Sequence, residues 1–309
     1  MPSLLSYVLV TPARNEARFI ESTIQSVVAQ TSRPLRWVIV SDGSTDGTDE
    51  IVGRYADAHD WIELLRMPER KERHFAGKAY AFRAGKGRTD DLSYDVIASL
   101  DADITFDSDY FSFLLGKLAA DPALGVVGTP YEEKTGEIFD YRFTSLDHVS
   151  GACQVFRREC YEAIGGYIPV KRGTIDCIAV ITARMQGWKT RTFTEKVCQH
   201  HRITGTAQAS AAKANFNTGV MDYVMGNHPL WQLFRAAYQI TKKPYIFRWL
   251  ALETGYLWSF LRRVERPVTR EFVKFHRREQ MARLKSKLSL RSIAGDSAAP
   301  VHSEVRESS

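Results

Sequence analysis

Asp101 and Asp103 stand one residue apart, directly after the apolar run Val96 to Leu100. On an extended backbone, residues i and i+2 point the same way, so both carboxylates can face one ligand. Hard carboxylate oxygens suit Mg²⁺ or Mn²⁺, ions that bridge one or two protein carboxylates to the phosphates of a nucleotide. Aspartate is also common in turns and helix caps, so the pair reads alternatively as a turn leading into a helix over 109 to 118. Two more polar clusters follow apolar runs: Thr11-Pro12-Ala13-Arg14-Asn15-Glu16 and Ser41-Asp42-Gly43-Ser44-Thr45-Asp46.

Those clusters need a scaffold that brings them together. Leu5 to Val10, Trp37 to Val40, Ile62 to Leu65, Val96 to Leu100 and Gly125 to Gly128 read as strands. Between them, Ile20, Ile24, Val27 and Val28 recur at helical spacing, as do Phe111, Leu114, Leu115 and Leu118. Strands alternating with helices predict an α/β sheet with helices packed on it, in which ligands gather beyond the carboxyl ends of the strands. All three polar clusters lie at such ends.

A chain of 309 residues that is 44% hydrophobic can bury a large core, which excludes disorder and fibrous structure. The start, Met-Pro-Ser-Leu-Leu-Ser-Tyr-Val, reads as a strand rather than a signal peptide or anchor, which implies a cytoplasmic catalytic part. Cys153, Cys160, Cys177 and Cys198 have no CxxC pairing and are expected to be reduced thiols without a role. The net charge of +6 is uneven: residues 231 to 291 hold 15 basic and 4 acidic side chains, whereas residues 1 to 230 hold 26 basic and 29 acidic. A basic C-terminal part suited to an anionic surface follows.

Four segments in order resemble family 2 glycosyltransferases: "TPARNE" at 11 to 16, "SDGSTDGT" at 41 to 48, "LDAD" at 100 to 103 and, for the family's acceptor-side segment, "GGYIPVKRGTIDCIAVITARMQGW" at 165 to 188. The resemblance runs from residue 4 to about residue 205. It implies a GT-A fold, a Rossmann-like mixed sheet flanked by helices, and an inverting transfer from a nucleoside diphosphate sugar. By position it implies that Thr11, Pro12, Asn15, Glu16 and Asp42 lie at the donor, with Thr11 and Asp42 on the nucleobase. Asp101 is then near the ribose, and Asp103 binds the metal. Lys78, in "HFAGKAYAFRAG", would contact phosphate; Arg83 replaces the Asn of the family pattern there. Asp176 aligns with the family's general base, while Ile175 replaces the Glu before it; Thr174 or Asp176 capping the following helix is the alternative. His200 or His201 would complete the metal shell, the sequence leaving open which, and Arg202 would meet the diphosphate. Ile203 stands where processive synthases have the Trp of QxxRW, which favours transfer of one sugar or a few.

The resulting organisation is a catalytic domain over 1–227, a basic, aromatic-rich helical region over 228–285 and a disordered tail over 286–309. In the helical region, aromatics from Trp231 to Phe260 alternate with Arg235, Lys242, Lys243, Arg248 and Glu253, too many charges for a transmembrane span. It is expected to lie on the inner face of the cell membrane as an amphipathic extension, a homodimer face being the alternative. The expected acceptor is a glycan or lipid-linked hydroxyl of a cell-envelope precursor, with no nucleic-acid partner. The rival readings are a nucleotidyltransferase, for which the glycine-free Thr11 to Glu16 turn is unsuited, and a non-catalytic carbohydrate-binding relative, which Ile175 favours.

Overall fold

The computed structural model describes residues 5–69, 74–133, 145–202, 211–239 and 245–294. In its first half, strands β1 (Tyr7–Ala13), β2 (Trp37–Asp42), β3 (Ile62–Met67) and β4 (Val96–Leu100) alternate with helices α1 (Ile20–Val28), α2 (Thr48–Ala58) and α3 (Ala76–Gly87). There follow β5 (Ile104–Thr105), α4 (Tyr110–Ala120), β6 (Leu124–Gly128), β7 (Tyr131–Glu133), β8 (Cys153–Arg157), α5 (Arg158–Ala163), α6 (Ile175–Met185), β9 (Lys189–Thr192) and β10 (Cys198–His200). Four helices close the chain: α7 (Ala211–Val224), α8 (Pro229–Gln239), α9 (Tyr245–Leu261) and α10 (Arg270–Ala294).

Seven strands form one mixed sheet in the order β3-β2-β1-β4-β8-β6-β9. β1 runs parallel to β2 and β4, whereas β8 is wedged antiparallel between β4 and β6. Both faces are covered, which is why the strands read as unbroken apolar runs. Tyr7, Leu9, Trp37 and Ile39 pack toward α1 and α4, while Val8, Val10, Val38 and Val40 pack toward α3 and α6. Each such side chain contributes about 1.5–3 kcal/mol on leaving water. α3 approaches the sheet closely through Gly85, where a Cβ would fall 2.6 Å from a Val10 methyl.

The last four helices form a layer beside this sandwich. α7 and α9 cross backbone to backbone at Gly219 and Gly255: a Cβ on Gly219 would lie 1.9 Å from the Leu252 carbonyl oxygen. α7 therefore packs with the C-terminal layer, which begins ahead of the boundary at 227 set from sequence. α10 returns across α6, where Phe272 is buried with Ile178, Ile181 and Met225. It continues to Ala294, so residues 286–294 are helical rather than a disordered tail; 295–309 lie outside the described residues.

Two charges that sequence reading assigned to a membrane-facing surface point inward instead. Arg235 forms an ion pair with buried Asp222, and Glu253 is 9% exposed. Lys242 and Lys243 and the Arg248 side chain lie outside the described residues. Leu230, Leu233, Leu250, Leu257, Phe260 and Leu261, by contrast, are exposed on α8 and α9. No helix among the described residues is long and apolar enough to cross a membrane.

Candidate active site

The ends of β1 and β2 carry two loops that fasten each other. Asn15 takes a left-handed backbone, φ 56°, and its Oδ1 accepts the Thr45 N–H at 2.8 Å. The Glu16 N–H donates to Thr48 Oγ1 at 2.8 Å, and Asp46 accepts the Ala17 N–H at 3.0 Å. Asn15 thus works in this structure as a loop clamp. Thr11, placed at the nucleobase by sequence, is fully buried and accepts the Trp37 indole N–H at 3.0 Å. Asp42 does reach the cleft, 6% exposed, with Arg14 Nη1 3.8 Å from its Oδ2.

β4 delivers the two aspartates. Asp101 pairs with the Lys78 ammonium, which also donates to the Gly151 carbonyl at 3.0 Å. Asp103 lies 3.4 Å from His200 Nε2 and 3.4 Å from Arg202 Nε, and Arg202 is also ion-paired to Glu16. Neither aspartate caps α4: its N-cap residue is Asp109, and no side chain bonds there. His200 arrives because β10 pairs antiparallel with β5, which follows the aspartates, in the register His200 opposite Ile104. The next residue of an extended chain points away. His201 accordingly meets Thr105 Oγ1 at 2.8 Å and stacks on Phe19, so of the two histidines His200 faces the aspartates.

Burial and charge compete within this cluster. Burial pushes Glu16 up to about 7, Arg202 opposing it and Asp103 and Asp101 adding to it. Burial also raises Asp101 despite Lys78. For Asp103, burial is outweighed by the His200 hydrogen bond and by the charges of His200, Arg202 and Lys78, which hold it below the usual carboxylate range. For His200, burial is likewise outweighed, chiefly by Asp103, and its pKa is raised.

These groups line one cavity of about 680 Å³, together with Pro12, Asp42, His74, Phe75, Lys171, Arg172, Asn217 and Met221. Arg83 is exposed on α3 and takes no part. Asp176 is not among the lining residues; it is half-buried in the first turn of α6 and packs on Gly151, where a Cβ would fall 2.6 Å from its Oδ2. Its charge is felt at Lys78, which lines the cavity. The Thr174 hydroxyl bonds the Gly173 carbonyl rather than an α6 N–H, and no side chain caps this helix. Ile175, at the position of the expected Glu, is 4% exposed in the core between sheet and helices, so no second carboxylate is offered from there. Sequence reading missed Arg14, His74, Lys171 and Arg172 as cavity residues.

No group of three or more His, Cys, Asp and Glu side chains among the described residues is arranged to hold a metal. Asp103 and His200 nonetheless offer one hard oxygen and one imidazole 3.4 Å apart. That donor set fits Mg²⁺ or Mn²⁺, which need only one or two protein ligands when a diphosphate supplies others.

Residues 8–147 match the family model described as glycosyl transferase family 2. The chain is 32% identical over 117 residues to poly-beta-1,6-N-acetyl-D-glucosamine synthase of Staphylococcus aureus, a match covering 38% of this chain and 26% of that protein. The Staphylococcus epidermidis counterpart is 30% identical over 121 residues, with the same coverage. The chain therefore spans about a quarter of the length of these relatives. Among solved structures, S. aureus TarS 1-349 in complex with UDP-GlcNAc is similar with a TM-score of 0.58 at 12% identity, over 91% of this chain and 92% of that one. Mannosyltransferase PcManGT from Pyrobaculum calidifontis, in complex with GDP-Man and Mn²⁺, gives 0.55 at 19% identity, over 94% and 81%. At these identities the likeness is one of fold, the GT-A fold expected from sequence.

Proposed function

Taking residues 8–147 as a family 2 glycosyltransferase domain, we propose that this protein transfers a sugar, with inversion, from a nucleoside diphosphate sugar to a hydroxyl of a cell-envelope polysaccharide or lipid-linked precursor. The observation that carries this reading is the convergence of Asp42, Asp103, His200 and Arg202 on one cavity at the strand ends. Asp42 takes a nucleobase N–H, and Pro12 bounds the base. Asp103 and His200 would hold Mg²⁺ or Mn²⁺, which would supply positive charge to offset that of the departing diphosphate. Arg202, released from Glu16, offers a planar guanidinium to the phosphate oxygens.

Asp176 serves as the general base. It takes the proton of the acceptor hydroxyl as that oxygen bonds the anomeric carbon, while the bond to the diphosphate breaks and its electron pair leaves with the nucleotide. Lys78 pairs with Asp101, donates to the carbonyl of Gly151, on which Asp176 packs, and feels the charge of both aspartates. The exposed leucines of α8 and α9, with Arg262 and Arg263 exposed beside them, support a peripheral contact with an anionic membrane face. Release of UDP or GDP from UDP-GlcNAc or GDP-mannose, with Mn²⁺ supplied or chelated, tests the donor reading. Metal-dependent release supports it; a protein that turns over no nucleotide sugar, and binds none, removes it.

A further inference from the structure

Among the described residues, charge around the cavity is balanced except on one wall. Asp42 faces Arg14, Asp101 faces Lys78, Asp103 faces His200, and Arg202 lies between Asp103 and Glu16. Lys171 and Arg172 line the same cavity, are exposed, and have neither an ion pair nor a side-chain hydrogen bond among the described residues. They immediately precede the turn Gly173-Thr174, whose two residues have φ of 103° and 67°, and which opens α6 and its Asp176. The Lys171 carbonyl accepts the Phe75 N–H at 3.2 Å. That bond seats the Phe75 ring against Gly173, 3.6 Å from where a Cβ would be, yet leaves the residue 63% exposed at the cavity.

An aromatic residue left open to solvent in a cleft loses the gain of burial unless a ligand covers it. Two uncompensated cations in a concave site concentrate anions there. Lysine offers a point charge and arginine a fork matched to phosphate oxygens. The donor diphosphate has its own set, Arg202 with the Asp103 and His200 pair, whereas Lys171 and Arg172 lead along the chain to the proposed base. We propose that Lys171, Arg172 and Phe75 form the acceptor subsite and that the acceptor carries a phosphate ester, held by the two cations, beside a sugar ring or apolar group that lies on Phe75. The phosphate is a handle and takes no part in bond making. This rests on the glycosyltransferase reading for the identity of the cavity.

Calorimetric titration of the full chain tests it, with Mn²⁺ and saturating UDP or GDP present. Glycerol 1-phosphate is the soluble probe, phosphatidylcholine vesicles containing phosphatidic acid are the lipid probe, and glycerol is the neutral control. The expected result is binding of at least one phosphate probe over glycerol, weakened about tenfold or more in the Lys171→Ala/Arg172→Ala double variant, with nucleotide affinity unchanged. The probe that binds more tightly identifies a soluble or lipid source. Equal binding to both proteins, glycerol binding as well as glycerol 1-phosphate, or a parallel loss of nucleotide affinity overturns the proposal. If no nucleotide binds the parent protein, the donor reading fails by itself, and the same titrations without nucleotide still compare parent with double variant.

Discussion

Arg184 on α6 and Glu279 on α10 meet side by side, Nε to Oε1 at 2.7 Å and Nη2 to Oε2 at 3.0 Å. The two side chains are 12% and 19% exposed, so the pair is largely screened from water. It ties the C-terminal helix to the helix that carries Asp176. Glu279→Ala removes a two-pronged, charge-assisted contact, although Arg184 keeps bonds to the Asp147 carbonyl and to Thr190. A loss of about 2 kcal/mol in unfolding free energy is expected, read from urea denaturation. An unchanged midpoint would mean that the packing of Phe272 against α6 holds the layer without the pair.

Because of that attachment, cutting the chain near Asn227 would unseat α6 as well as remove the exposed leucines. Membrane contact is better tested by Leu257→Glu together with Leu261→Glu, both exposed by more than half. Flotation with anionic liposomes should fall for this variant, and high salt should weaken the parent's binding, since attraction to a charged surface decays within a Debye length of about 10 Å at 0.1 M. Undiminished flotation of the variant would leave these leucines without a role at the membrane.

Asp176→Asn keeps the shape of the side chain and its place against Gly151 while removing the carboxylate proposed as proton acceptor. Turnover with a true acceptor should drop on the order of a hundredfold or more, with donor affinity retained. Turnover close to the parent's would take Asp176 out of the mechanism.

Acid should loosen the helical layer first. His276 Nε2 lies 2.9 Å from Asn227 Oδ1 and from Gln280 Nε2, and burial, helped by Arg184, Arg283, Arg277 and Arg235, lowers its pKa from 6.5 to about 3. The unfolded chain then binds a proton that the folded chain refuses, so the contribution is complete above pH 6.5 and is lost as pH falls toward 3. The slope is about 1 kcal/mol per pH unit over that range. Melting temperature followed from pH 7 to pH 4 should show it, and His276→Gln should flatten it; an identical slope in the variant would assign the acid sensitivity elsewhere.

Much of the sheet was legible because β1, β2, β4 and β6 are buried on both faces and so read as apolar runs. Their ends were not: β1 continues to Ala13 and β2 to Asp42, since polar motif residues pair across to each other, Ala13 with Ser41. β8 was hidden by Gln154, which is fully buried and bonded to the Val149 carbonyl and to Tyr167, a partnership invisible in "CQVFR". The small sheet β5-β10-β7 has strands of two and three residues, too short for any period, yet it selects His200 over His201. Motif residues gave away the acidic side of the cavity. Lys171 and Arg172, unpaired among the described residues, lie inside the segment that resembles the family's acceptor side, but the motif does not single them out; only the structure sets them on the cavity wall. Thr11 follows the motif in position but is turned inward by Trp37.

Metal-dependent nucleotide binding at Asp103 bears most directly on the donor site. Calorimetry of UDP and GDP, with and without Mn²⁺, on the parent chain and on Asp103→Ala measures it. The expected result is binding that Mn²⁺ strengthens in the parent, and loss of that strengthening in the variant, because Asp103 is the carboxylate held ionised between His200 and Arg202. Equal, Mn²⁺-responsive binding by both proteins would contradict the assignment of Asp103 to the metal and, with it, this account of how the cavity holds a nucleoside diphosphate.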